Sequence, residues 1–170
     1  MIEKIKVLKS EIIADLERLD DIYAKISSSE REYAVTEKYA VSVEISFYIN
    51  QLYTGFERIF KNIASFFENN INEEKWHFSL LERMSIEIEG IRPAVISRES
   101  YTWLNELRGF RHFFRHAYNA DIEQDKLKIV LKRVFLLREK YTSELQVFYK
   151  FLDSIEKEEI ASENISGAIR

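Results

Sequence analysis

The sequence contains no cysteine, one proline and only four glycines among its 170 residues. Without cysteine there can be no disulfide, no thiolate metal site and no cysteine nucleophile, and the omission fits a reducing cytoplasm. Scarce proline and glycine leave few places for the chain to turn. With abundant Leu, Ile, Glu and Lys, that scarcity favours long helices. No run of eighteen apolar residues occurs, so no membrane span is expected. The amino terminus, MIEKIKVLKSEIIADLERLD, alternates charge with apolar residues where a signal peptide would need an unbroken apolar core. Nor is there a basic excess: a net charge of −4 argues against non-specific attraction to nucleic acid.

What is present is a globular balance of 46% hydrophobic and 32% charged residues. The chain is long enough to bury a core as one domain, expected over 1–160. Residues 161–170 have little to bury and are expected to fray. Apolar spacing of three and four residues predicts an all-α, antiparallel bundle of about five helices. The first carries Ile2, Ile5, Leu8, Ile12, Leu16, Leu19, Tyr23 and Ile26, and Ser27-Ser28-Ser29 is expected to end it, with Ser29 and Glu32 at capping-box spacing for the next. The second has the cleanest seam, Ile45, Ile49, Leu52, Phe56, Ile59, Ile63 and Phe66, flanked by Tyr53, Phe60 and Phe67. That aromatic row reads as core, with a surplus that would let part of the helix face another subunit.

Asn69-Asn70 is expected to break the second helix, and Trp76, Leu80, Met84 and Ile88 predict a third, closed by Gly90 and Pro93. His77 lies on it with one acidic partner at helical spacing, Glu73, too little for a metal site. Glu89, Arg92 and Arg98 read as solvated charges. Ser97 or Ser100 caps the fourth helix, whose buried stripe is Trp103, Leu107, Phe110, Phe114 and Ala117. Gly109 inside it implies a close backbone approach. Asn119-Ala120-Asp121 ends this helix, and Asp121 with Gln124 could cap the last, where Leu127, Val130, Val134, Leu137, Tyr141, Leu145, Phe148, Leu152 and Ile155 recur. The polar face there holds Lys126, Lys128, Lys132, Arg133, Arg138 and Lys140, either a solvated face or a track for a phosphate backbone.

The chemistry concentrates in Leu107 to Tyr118, LRGFRHFFRHAY. Placed on a helix at about 100° per residue with Arg111 at the origin, Tyr118 falls near −20°, Arg115 near 40°, Arg108 near 60°, His112 near 100° and His116 near 140°. Trp103, Leu107, Phe110, Phe113, Phe114 and Ala117 take the opposite arc. One face can be buried while the other offers guanidiniums, imidazoles and a phenol. Arginine suits charge on phosphate oxygens and histidine suits proton transfer, so the strip fits phosphodiester chemistry.

Arg111, four intervening residues, His116, Ala117 and Tyr118 form an R-x4-H-x-Y string that resembles the signature of the HepT-like toxins, all-helical RNases of the HEPN superfamily. His112 directly after the arginine and the Gly109-Phe110 lead-in are similar too. The resemblance implies a metal-independent endoribonuclease without cofactor, acting as a cytoplasmic homodimer whose two motifs face each other. It implies catalytic roles for Arg111 and His116, with His112, Arg108 and Arg115 in support. It also implies a type II toxin–antitoxin pairing with a minimal nucleotidyltransferase (MNT) antitoxin, and makes Tyr118 the acceptor of AMP. Two further readings stay open on the residues alone. One is a non-catalytic HEPN-type module that docks a nucleotidyltransferase or binds nucleotide; the other is a purely structural oligomerisation bundle.

Overall fold

The apolar register of the first helix does not stop at its serines. In the computed structural model, which describes residues 1–68, 80–116 and 122–168 (116 and 166–168 in backbone only), helix α1 spans Ile2–Thr36. The expected end at Ser27–Ser29 and the Ser29/Glu32 capping box are therefore corrected. Ser27 Oγ donates to the Tyr23 carbonyl at 2.9 Å, so its hydroxyl is satisfied inside the helix. Ser29 lies buried between Ile26 and Tyr33 on the core face. Tertiary burial outweighs the local preference of serine for helix ends. The helix closes at Glu37, which takes the left-handed conformation at φ 49° and donates its N–H to the Tyr33 carbonyl at 2.9 Å.

Helix α2 (Tyr39–Phe67) follows after two residues and folds back along α1. Its predicted seam is realised: Ile45, Ile49, Leu52, Phe56, Ile59 and Ile63 are fully buried, and Phe66 packs half-buried at its end. Tyr53 and Phe60 of the flanking row are buried as well, and Phe67 packs half-buried on the same core, so that row is core as expected. Asp15 of α1, only 3% exposed, ties the pair by accepting from Arg18 Nη1 at 2.6 Å and facing Arg58 Nε at 3.3 Å. The close backbone approach also lies here. A Cβ on Gly55 would stand 2.6 Å from Leu19 Cδ2, whereas one on Gly109 would meet nothing within 4 Å. The expectation that Gly109 marks a tight approach is thus corrected. Adding a methyl to Gly55 overpacks a fully buried leucine, and adding one to Gly109 only improves helix propensity. Gly109→Ala is expected to raise the unfolding free energy by up to about 1 kcal/mol. Gly55→Ala should lower it by roughly 1–3 kcal/mol less that same gain. Urea midpoints of the two variants would check the opposite signs.

Between α2 and the next long helix, residues 80–84 are helical and bury Leu80, Leu81 and Met84. Ile88, expected on the same helix, lies beyond its end and pairs with Arg92 across a turn in which Gly90 adopts φ 72°. Trp76, His77 and the predicted break at Asn69-Asn70 fall outside the described residues. Arg92 corrects the sequence reading most sharply. Read as a solvated charge, its side chain is instead wholly buried. Its Nη1 donates to the carbonyls of Ile86 (3.3 Å) and Pro93 (3.2 Å), and its Nη2 to the Arg83 carbonyl and Glu68 Oε1, both at 3.1 Å. One guanidinium thus gathers three backbone carbonyls, one near a helix end and two in the segment that follows, around a buried carboxylate. Glu89 and Arg98 are exposed as expected.

Helix α3 (Arg98–His116) starts at Ser97, whose Oγ accepts the Ser100 N–H at 3.2 Å. It buries Leu104, Leu107 and Phe110, with Trp103 and Phe114 half-buried; Ala117 and the predicted end at Asn119–Asp121 lie outside the described residues. Helix α4 (Gln124–Ala168) buries each expected apolar position from Leu127 to Leu152, plus Leu131. Ile155 packs half-buried on the same core, and residues 161–165 continue as exposed helix. Lys9 near the start of α1 is clamped by Asp153 and by Glu156 at 2.8 Å, which raises its pKa above the usual lysine value, chiefly through those two hydrogen bonds. The result is an all-α bundle in which, among the described residues, α2 packs against each of the other three long helices. Tyr141 joins them at the centre, stacked 5.6 Å from Tyr23 and edge-on 5.2 Å from Phe56.

A cationic cleft between two helices

Residues four apart on a helix share a face, and the α2 face beside α3 carries Tyr53, Glu57 and Lys61. Facing it, α3 presents Arg108, Arg111, His112 and Arg115, three and four apart. These seven side chains line an open cleft of about 410 Å³. Four of the residues singled out from sequence are therefore brought to one wall. His116 is described in its backbone alone, as part of α3, and Tyr118 lies outside the described residues.

Arg111 is only 18% exposed and is held from two sides. Its Nη1 donates to Glu57 Oε2 at 3.2 Å, and its guanidinium carbon stands 5.3 Å from the centre of the Tyr53 ring. The same Glu57 oxygen lies 3.8 Å from Lys61 Nζ. Burial first, and then the Glu57 charge, push the Tyr53 hydroxyl up to about 12, against the opposing pull of Arg108 and Arg111. Tyr53 thus stays a neutral phenol at physiological pH, a floor and a hydrogen-bond donor. Four cationic side chains against one carboxylate give the cleft a local positive charge that the acidic chain as a whole lacks.

Tyr53, Glu57 and Lys61 were not among the sequence-predicted site residues. Their four-residue spacing was visible, but nothing in the sequence indicated that this face of α2 adjoins the arginine strip. The polar face of α4 behaves differently from a phosphate track. Arg133 Nε donates to Glu106 Oε2 at 2.8 Å, Lys140 pairs with Glu99 and lies 5.9 Å above Trp103, and Arg138 sits 5.4 Å above Tyr23. Lys126 pairs with Glu123 at 2.8 Å and lies 5.5 Å above Phe113. These cations stitch α4 to α3 and α1, and only Lys128 and Lys132 of the row point to solvent alone among the described residues. No group of His, Asp or Glu side chains placed to hold a metal occurs among the described residues, and no helix among them is long and apolar enough to cross a membrane.

Comparisons with curated proteins and with solved structures returned no match. A family model described as HepT-like protein matches residues 44–152, more than half of the chain, a span that takes in both walls of the cleft and most of α4. The chain belongs to the HepT-like family.

Proposed function

We propose that this HEPN-type module is a metal-independent endoribonuclease, the toxin of a type II (HEPN/MNT) toxin–antitoxin pair in the cytoplasm, active as a homodimer. The observation that carries the reading is the open cleft in which Arg111, fixed by Glu57, stands with Arg108, His112, Arg115 and Lys61. Five residues and about 140° of helix separate Arg111 from His116, so one protomer cannot enclose a phosphate with that pair. Two protomers about a twofold axis supply two guanidiniums and two imidazoles around one linkage.

In this mechanism His116 takes the proton from the ribose 2′-OH. The 2′ oxygen attacks the adjacent phosphorus and the bond from phosphorus to the 5′ oxygen breaks. The leaving oxygen takes up a proton, giving a 2′,3′-cyclic phosphate and a 5′-hydroxyl. Arg111 meets the negative charge that grows on the phosphoryl oxygens, a bidentate task for which lysine has the wrong shape. His112, Arg108 and Arg115 hold the flanking phosphates. DNA lacks the nucleophile and is not cut. Incubation with single-stranded RNA and no divalent metal is expected to yield products with cyclic phosphate ends. Tight RNA binding without those ends would favour the non-catalytic binding module instead.

Silencing follows from the same electrostatics. A nucleotidyltransferase antitoxin that transfers AMP from ATP to the Tyr118 hydroxyl, releasing pyrophosphate, adds a phosphate for the arginines of the cleft to pair with, and RNA is excluded. Intact mass after incubation with such an enzyme and ATP is expected to rise by the mass of one adenylyl group, AMP less water. The Tyr118→Phe protein should stay unmodified and uninhibited, and an adduct on it would overturn the assignment.

A further inference from the structure

A guanidinium carries five N–H donors in one rigid plane. At Arg111 one of them is taken by Glu57 Oε2 and one face of the plane lies against Tyr53. Neither partner belongs to the α3 strip: Glu57 is 54 residues away in sequence, on the opposite wall. The pair is mostly withdrawn from water, with 18% and 14% of the two side chains exposed, so its geometry is held more firmly than in a surface ion pair. Lys61, 3.8 Å from the same oxygen, steadies the carboxylate in turn. The arginine donors not engaged by Glu57 remain to meet the phosphoryl oxygens.

We propose that Glu57 is a positioning residue for Arg111, pinning one edge of the guanidinium over Tyr53 so that its other donors face the scissile phosphate. This rests on the nuclease reading above for its catalytic consequence, but the pinning itself does not. The opposite role, a carboxylate that competes with phosphate for Arg111, predicts the opposite sign.

The test uses the full chain as wild type, Glu57→Gln and Glu57→Ala, with cleavage kinetics on a single-stranded RNA and nitrogen-15 NMR of the Arg111 side chain, assigned with Arg111→Lys. Glutamine keeps a carbonyl oxygen in the same place and is expected to hold kcat within about threefold. Alanine is expected to lower kcat by about 10- to 100-fold, the scale of a misplaced catalytic group. KM should stay level or fall, because a negative charge leaves the cleft. Restricted rotation should give Arg111 resolved Nη signals in the wild type and the glutamine variant, collapsed in the alanine variant. Unchanged or faster turnover in Glu57→Ala overturns the proposal, as do Arg111 signals indifferent to the substitution. If the wild type cleaves no RNA at all, the nuclease reading falls, and the NMR comparison still decides whether Glu57 holds the arginine.

Discussion

Substitution of His116 by alanine is expected to slow RNA cleavage by about 100- to 10,000-fold, the range in which a positioned general base contributes. The loss should appear in kcat, because in the proposed mechanism the imidazole moves a proton in the transition state and adds little to ground-state binding. The buried positions of helix α3, Leu104, Leu107 and Phe110, are untouched, so circular dichroism and the elution volume of the proposed dimer should be unchanged. Arg111→Lys should cost about 100-fold on similar grounds, since a point charge replaces a planar fork at a site of developing charge. A further consequence separates a shared site from a private one. Homodimers of His116→Ala or Arg111→Ala have lost every copy of one group, but a mixed dimer of the two variants keeps one imidazole and one guanidinium. It should regain measurable cleavage. Full activity in the His116→Ala homodimer would refute the role given to the histidine.

Arg92→Ala is expected to destabilise the fold by about 3–5 kcal/mol, the cost of stripping one partner from a buried ion pair. The guanidinium is wholly enclosed and meets four oxygens, three of them backbone carbonyls. Removing it takes a donor from each of those carbonyls, of which Arg83's keeps the Ile86 N–H at 3.3 Å, and leaves the Glu68 carboxylate, 8% exposed, with Arg83 alone. At about 2–4 °C per kcal/mol for a chain of this size, the melting temperature should fall by roughly 10 °C. Glu68→Ala in the same background should cost less than it does alone, since the charge that lost its partner is then gone. Chemical denaturation of the two single variants and the double variant measures the coupling. A loss below about 0.5 kcal/mol, typical of exposed positions, would mean that Arg92 is not the tie described. The tie joins the end of α2 to the segment leading into α3, the two helices that wall the cleft.

The helical registers were readable wherever burial repeats every three or four residues. The seam from Ile45 to Ile63 and the stripe from Leu127 to Leu152 are both buried as spaced. Reading failed where long-range contact overrides local chemistry. Three serines look like a stop, yet Ser29 is on the core face of α1 and the helix continues to Thr36. Arg92 looks like any surface arginine until a turn brings it to Glu68, 24 residues away. The arginine strip of the cleft was visible because one helix carries it. Its other wall was not, because the adjacency of Glu57 and Arg111 depends on how α2 and α3 pack, and no local pattern encodes that.

The sequestering of the α4 cations has an effect on how any polyanion would be held. With Arg133, Lys140, Arg138 and Lys126 occupied by neighbouring carboxylates and rings, few mobile counterions are displaced when a strand arrives. For single strands the logarithm of affinity falls by about 0.7 per phosphate neutralised for each decade of salt, so a grip confined to one cleft gives a shallow dependence. Under the proposed function a strand would be seized at a point and released, not threaded along a charged rail.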